Sequence, residues 1–322
     1  MSLVRMRIVV LDGYTLNPGD NPWDEIAELG ELTVYERTPP ELVRERARDA
    51  DIVLTNKTRL SAATLSELPR LKFISVLATG YDVVDVQAAR ERGILVANVP
   101  EYSTHSVAQH TFALLLELCN RVGQHDAAVR AGEWQRCADF SFWLQSPREL
   151  HGLIFGIVGL GRIGRRVAEI ALAFGMKVCA TGPREPRPLP ATIEWTNLAD
   201  LAGKADVVSL HCPLTPENEG FVNREFLSRM KPTAFLINTA RGRLVDEHAL
   251  ADALRSGSIA GAAVDVIREE PMPANHPLLT TPNCIITPHM AWASLAARRR
   301  LMQTTAANIR AFLDGKPINL VS

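Results

Sequence analysis

"GIVGLGRIGRR" occupies residues 156–166, and its reading decides the fold. An apolar run enters three glycines at G-x-G-x-x-G spacing, Gly159, Gly161 and Gly164, and a helical pattern follows over 162–174. A strand, a tight glycine turn and a helix in that order bring backbone close to a pyrophosphate, whose charge the helix N-terminus stabilises. Such a turn normally opens a domain, yet here it lies near the middle of 322 residues.

The flanking pattern explains the position. Downstream, "LIFGIVG" (153–159), "MKVCATG" (176–182), "ADVVSLHCP" (205–213), "TAFLINTARG" (233–242), "IAGAAVDV" (259–266) and "CIITPH" (284–289) read as six strands separated by helices. Upstream, "RIVVLDG" (7–13), "DIVLTNK" (51–57), "KFISVLATG" (72–80) and "GILVANVP" (93–100) form a separate strand series. Uniformly apolar strands alternating with helices indicate parallel sheets covered on both faces. A long helical stretch over 103–134, bent or broken near Gly123, joins the two, and an amphipathic helix over 294–316 returns to the first series. The expected class is α/β, with two doubly wound parallel-sheet domains: a Rossmann cofactor domain at 102–289 inserted into a flavodoxin-like substrate domain at 1–101 and 290–322. The active site is expected where strands of both domains end.

Bulk composition narrows the function. The chain is 47% hydrophobic and 22% charged with net charge −1, which gives no electrostatic footprint for nucleic acid or an anionic membrane. The longest apolar stretch, 112–119, is far short of the roughly 20 residues of a membrane span. Five scattered cysteines without a CxxC pair argue against a disulfide framework and against a metal site, and for a reducing compartment. No signal-peptide layout opens the chain, so the expectation is a cytoplasmic protein.

The strand after the glycine turn should end, about 20 residues on, in an acidic residue for the adenosine ribose. It ends instead in Thr181, Gly182 and Pro183, followed by Arg184 and Arg187. Loss of the carboxylate removes a repulsion, and guanidiniums can fork onto a 2′-phosphate, which favours NADP(H) over NAD(H). Glu185, between the two arginines, leaves solvated loop charges and use of either cofactor as the alternative. Arg162, inside the turn, is a further phosphate candidate.

Three later stretches each place one ionisable residue past a strand: Arg241 in "NTARGRLVDE", Glu270 in "VDVIREEP" and His289 in "TPHMAW". Singly, each also reads as a loop charge or turn residue. Together, behind a dinucleotide turn, they match the reduction of a 2-oxo acid. Arg241 binds carboxylate and carbonyl oxygens in a planar fork. His289 gives or takes the proton. Glu270 beside the imidazole would orient it and favour its charged form. Backbone amides of Ala78, Thr79 and Gly80 can hold the substrate carboxylate from the first domain.

The series "ATGYDVVDVQAARERGI", "GIVGLGRIG", "ADVVSLHCPLTPENEGFVN", "LINTARGRLVDEHAL", "GAAVDVIREEP" and "NCIITPHMAW" spans nearly the whole chain and resembles the D-isomer-specific 2-hydroxyacid dehydrogenase family. That resemblance implies a catalytic set of Arg241, Glu270 and His289. It also implies a cofactor site lined by Thr104, Gly159, Gly161, Arg162, Ile163, Gly164, Cys212, Pro213, Thr239, Ala240 and Asp265, with Asp265 beside the nicotinamide carboxamide. It further implies a homodimer joined through the cofactor domains near 103–134. "LDGYTLNPGD", "TNKT", "YSTHSVAQH" and Trp292 after "PHMA" look most like the glycerate dehydrogenases, or hydroxypyruvate (glyoxylate) reductases, with Trp292 lining a small pocket. A formate dehydrogenase would carry Gln at Glu270. A phosphoglycerate dehydrogenase would need a phosphate-binding cation and generally a C-terminal extension. The alternative from another class is an NAD(H)-sensing corepressor-like binding protein on the same fold.

Overall fold

The computed structural model describes residues 5–185 and 188–321, so Arg187 lies outside the described residues. The chain forms two compact units. One holds the residues up to Ser103 and from Trp292 onward; the other is Thr104–Ala291.

The first unit is a parallel five-stranded sheet of β1 (Arg7–Val10), β2 (Glu31–Val34), β3 (Ile52–Thr55), β4 (Phe73–Val76) and β5 (Leu95–Ala97), in the order β2-β1-β3-β4-β5. This is the flavodoxin-like doubly wound order. β3 and β4 are buried at every position, which is why "IVLT" and "FISV" show no alternation. The C-terminal helix Leu295–Leu313 belongs to this unit: Phe312 stacks on Phe73 at 4.6 Å, and Leu301 and Ile309 join the same core. Each such buried aliphatic side chain contributes about 1.5–3 kcal/mol. Sequence patterning supplies four of the five strands. β2 escapes it because it sits at the sheet edge with no fully buried residue.

The second unit contains a parallel seven-stranded sheet: β6 (Ile154–Val158), β7 (Lys177–Thr181), β8 (Ile193–Trp195), β9 (Val207–Leu210), β10 (Phe235–Asn238), β11 (Gly261–Val264) and β12 (Cys284–Ile286). Its order is β12-β11-β10-β9-β6-β7-β8, so the winding reverses between β6 and β9, where doubly wound sheets open a crevice. Among the described residues the strands number seven, not six; β8 is a three-residue edge strand paired with β7.

The stretch expected as a long helix over 103–134, bent or broken near Gly123, is broken into Thr104–Asn120, Val122–Arg130 and a short Glu133–Arg136. The first break falls at Arg121, two residues before Gly123, which itself lies inside the second helix. Arg121 takes a left-handed conformation (φ 49°), a cost of roughly 1–2 kcal/mol, and its guanidinium donates to Asn283 Oδ1 at 2.7 Å. Among the described residues no helix is long and apolar enough to cross a membrane.

Candidate active site

The three glycines do different work. Gly159 has φ 99°, and a Cβ there would lie 2.6 Å from the Cys212 nitrogen, so the glycine turn and the end of β9 touch through backbone. A Cβ on Gly164 would collide with the Gly159 carbonyl; this glycine lets the helix Arg162–Ala173 press against the turn. At Gly161 a Cβ would meet nothing within 4 Å. Open space therefore lies beside the N-terminus of the helix Arg162–Ala173. A cradle of this form fits a pyrophosphate. Ile163 is half-buried and Arg162 exposed beside it.

At the next strand end, Thr181 O accepts from Gly159 N at 2.8 Å, and Gly182 follows directly. Arg184 is exposed on the succeeding loop. Past β9, His211 N donates to Val158 O, and the imidazole Nε2 lies 2.8 Å from Ser209 Oγ. Burial pushes the His211 imidazole down to about 3, so the ring is neutral here. Cys212 and Pro213 follow it; burial raises the Cys212 thiol above its usual value and so keeps it protonated.

Beyond β10 a single side chain shapes the loop that bears Arg241. Asn238 Oδ1 accepts from Ala240 N at 3.0 Å, and its Nδ2 donates to Arg241 O at 2.9 Å. Thr239 is tied by its hydroxyl to Thr111 at 3.2 Å. The Arg241 guanidinium is exposed, with Nη1 on the Ala240 carbonyl at 2.8 Å. Gly242 leaves no room for a Cβ because the Ile267–Arg268 backbone abuts it. The Arg241 loop and the loop after β11 are thus packed backbone to backbone.

Asp265 follows β11 and is 2% exposed. Its carboxylate accepts from Thr287 Oγ1 (2.6 Å), Met290 N (2.9 Å) and Ala291 N (2.9 Å), while its carbonyl accepts from His289 N (2.8 Å). Burial alone would raise its pKa, but the hydrogen bonds from His110, Thr287 and the backbone N–H groups of Ala291 and Met290 outweigh it and hold the carboxyl below its usual value. The "TPHMA" loop is therefore wound around Asp265. In that loop His289 sits at φ 52°, and its Nδ1 lies 2.6 Å from Glu270 Oε2. Both side chains are about one-third exposed, at 29% and 34%, so the pair is solvent-accessible but fixed.

The structure thus brings Glu270 and His289 into contact and links the Arg241 loop to theirs through Gly242. Asp265 has four partners holding that same loop. His110 and Thr287, 3.0 Å apart, complete its anchor and were not singled out in the sequence. Their signal was weak, since a helical His and a Thr before Pro have many ordinary uses. Thr104, at the start of its helix, is half-buried, and Ser106 of the same turn donates to Ala291 O at 2.7 Å. In the first unit, Ala78, Thr79 and Gly80 leave the carboxyl end of β4. Asn98 Nδ2 and Val99 N hold the Thr79 and Ala78 carbonyls at 2.7 and 3.0 Å. Trp292 packs edge-on against Tyr102 at 6.2 Å. Among the described residues no cluster of three or more His, Cys, Asp or Glu side chains could hold a metal ion.

The family model for the D-isomer specific 2-hydroxyacid dehydrogenase, NAD binding domain, matches residues 112–291. The chain is 47% identical to a hydroxypyruvate reductase of Blautia hydrogenotrophica over 98% of its length and 100% of that protein's. It is 40% identical to a glycerate dehydrogenase of Methylorubrum extorquens, covering 98% of each. It is similar in structure to an NADPH-dependent glyoxylate/hydroxypyruvate reductase of Sinorhizobium meliloti solved with NADP and malonate. There the TM-score is 0.85 at 32% identity, over 99% of this chain and 97% of that one.

Proposed function

This chain belongs to the D-isomer-specific 2-hydroxyacid dehydrogenase family, an oxidoreductase family whose members use a nicotinamide cofactor, and we propose that it reduces hydroxypyruvate or glyoxylate to D-glycerate or glycolate. The names of its relatives support that substrate choice. The observation that carries the reading is the 2.6 Å bond between Glu270 Oε2 and His289 Nδ1, just past β11 and β12.

With Nδ1 committed to Glu270, Nε2 is the nitrogen left to meet a substrate oxygen. His289 gives its Nε2 proton to the carbonyl oxygen and returns to the neutral ring, while Glu270 balances the charge the ring carried. In the oxidation direction the same nitrogen takes the hydroxyl proton. When bound, a reduced nicotinamide would supply the hydride that the carbonyl carbon receives. Arg241 forks onto the carboxylate and carbonyl oxygens, fixing the face presented to the acid. Ala78, Thr79 and Gly80 contribute amides to the substrate carboxylate, and Trp292 bounds its side chain. Thr104, the 159–164 turn, Cys212, Pro213, Thr239, Ala240 and Asp265 would hold the cofactor.

NADP(H) is the preferred cofactor, supported by Gly182 where a carboxylate would repel a 2′-phosphate and by the exposed Arg184; Arg187 is assigned with it. The enzyme works in the cytoplasm as a homodimer. Trp134, Phe140 and Trp143 are 52, 91 and 61% exposed, an apolar surface on the second unit that a second copy would cover.

Loss of nicotinamide absorbance with hydroxypyruvate and with glyoxylate, NADPH against NADH, tests the reading. NADPH oxidation is expected, cut by roughly 10²–10⁴ in His289→Ala and by a comparable factor in Arg241→Ala with the fold intact. No oxidation across a panel of 2-oxo acids would instead favour the binding-protein alternative.

A further inference from the structure

Residues 268–275 make a mostly exposed excursion between buried Ile267 and His276, and Glu270 is carried on it. One carboxylate holds both of its ends. Glu247 Oε1 accepts from the Arg268 backbone N–H at 2.6 Å, and Oε2 lies 2.9 Å from His276 Nε2. These side chains are only 12% and 6% exposed. His276 Nδ1 accepts from Leu278 N at 3.3 Å, so the ring proton sits on Nε2 and points at Glu247.

Glu247 opens the helix Glu247–Arg255, which follows directly on the Arg241 segment. Helix capping does not require it, since Asp246 already accepts from His248 N and Ala249 N. Burying a carboxylate is costly unless its oxygens are well partnered, and here both oxygens are used on the two stems of one loop. The guanidiniums of Arg268 and Arg243 share Glu219, at 2.9 and 2.8 Å, which ties the same two segments together from the surface.

We propose that Glu247 is a positioning residue: by gripping Arg268 and His276 it sets the angle at which Glu270 meets His289, in register with the Arg241 loop. The role rests on Glu270 and His289 being the acid–base pair proposed above. Glu247 touches no substrate and acts through the loop.

The direct test is the Nδ1 proton of His289 in ¹⁵N-histidine spectra. A far-downfield signal is expected in the wild type and lost in His289→Asn and in Glu270→Gln. Glu247→Ala is expected to shift or broaden it, and an unchanged signal would overturn the proposal. In turnover, Glu247→Ala should lower kcat about tenfold with KM changed less, and Glu247→Ala/Glu270→Gln should be no slower than Glu270→Gln alone. A further tenfold drop in the double variant would also overturn it. Should Glu247→Ala not fold, His276→Ala is expected to show the same loss. His276→Gln, which restores an N–H toward Glu247, should recover activity; equal rates in the two would refute the role. A wild type inactive on every 2-oxo acid would sink the functional reading, while the proton signal still decides the positioning role.

Discussion

Thr287 Oγ1 donates to Asp265 Oδ1 at 2.6 Å, and through this bond the stem of the His289 loop is fixed to the end of β11. Two further donors, Met290 N and Ala291 N, converge on the same carboxylate. Asp265→Ala would leave both N–H groups without this acceptor, that of Ala291 in a buried site, at roughly 1–3 kcal/mol for a buried group. The expected result is a urea midpoint lowered by an amount matching several kcal/mol, with turnover abolished because His289 loses its support. A variant with wild-type midpoint would show that water replaces the carboxylate freely.

The same carboxylate imposes a pH dependence. Its folded pKa is held below the 3.8 of the unfolded chain, so its contribution is complete above about that pH. It is lost as the pH falls further and the folded state must also take the proton. His211 acts in a separate window. Its folded pKa of about 3 lies under the ordinary 6.5, so below pH 6.5 the unfolded chain binds a proton that the fold refuses. Stability is therefore expected to decline by up to roughly 1.4 kcal/mol per pH unit from 6.5 downward. His211→Gln can keep a bond to Ser209 and should flatten that decline. Urea titrations at neutral pH and near pH 5 measure it, and equal slopes in both proteins would contradict the assignment.

Much of this architecture is written in local pattern. Strands β3, β4, β6 and β9 are apolar at nearly every position because both of their faces are covered, and the glycine turn announces the winding centre. Of the four edge strands, β2 and β8 carry no such mark: neither is buried along its length, and "ELTV" and "IEW" look like loop. At the candidate site, Glu270 and His289 are readable as chemistry because each follows a strand that ends on the same edge. The supports are not. Glu247 reaches Arg268 and His276 across 21 and 29 residues, and His110 reaches Thr287 across 177. Contacts of that span depend on how loops fold back over the sheet, which no short-range periodicity encodes.

The glycines of the turn allow folding to be tested apart from the proposed cofactor binding. Gly161→Ala adds a methyl group where nothing lies within 4 Å, so thermal stability should stay near wild type. Its effect should appear as a cofactor KM raised about tenfold or more, through loss of close backbone approach. Gly164→Ala instead drives a Cβ into the Gly159 carbonyl and should destabilise by about 1–3 kcal/mol. Calorimetry beside cofactor titration distinguishes them. A Gly161→Ala protein with unaltered cofactor affinity would place the pyrophosphate elsewhere.

Gly182 is the position at which the proposed cofactor choice can be tested. It directly follows Thr181 at the end of β7, and a Cβ there would rest 3.4 Å from the Trp195 ring, an ordinary contact, so a side chain is tolerated. Gly182→Asp would set a carboxylate where the ribose of the cofactor is proposed to lie. It would repel a 2′-phosphate and accept from a 2′-hydroxyl. We expect kcat/KM for NADPH to fall about 100-fold, roughly 2.7 kcal/mol, while that for NADH holds or rises. Arg184→Ala should lower NADPH use alone and leave NADH untouched, since its guanidinium is assigned only to the added phosphate. If Gly182→Asp weakens both cofactors equally, the loop after β7 does not discriminate between them, and the NADP(H) preference must be withdrawn.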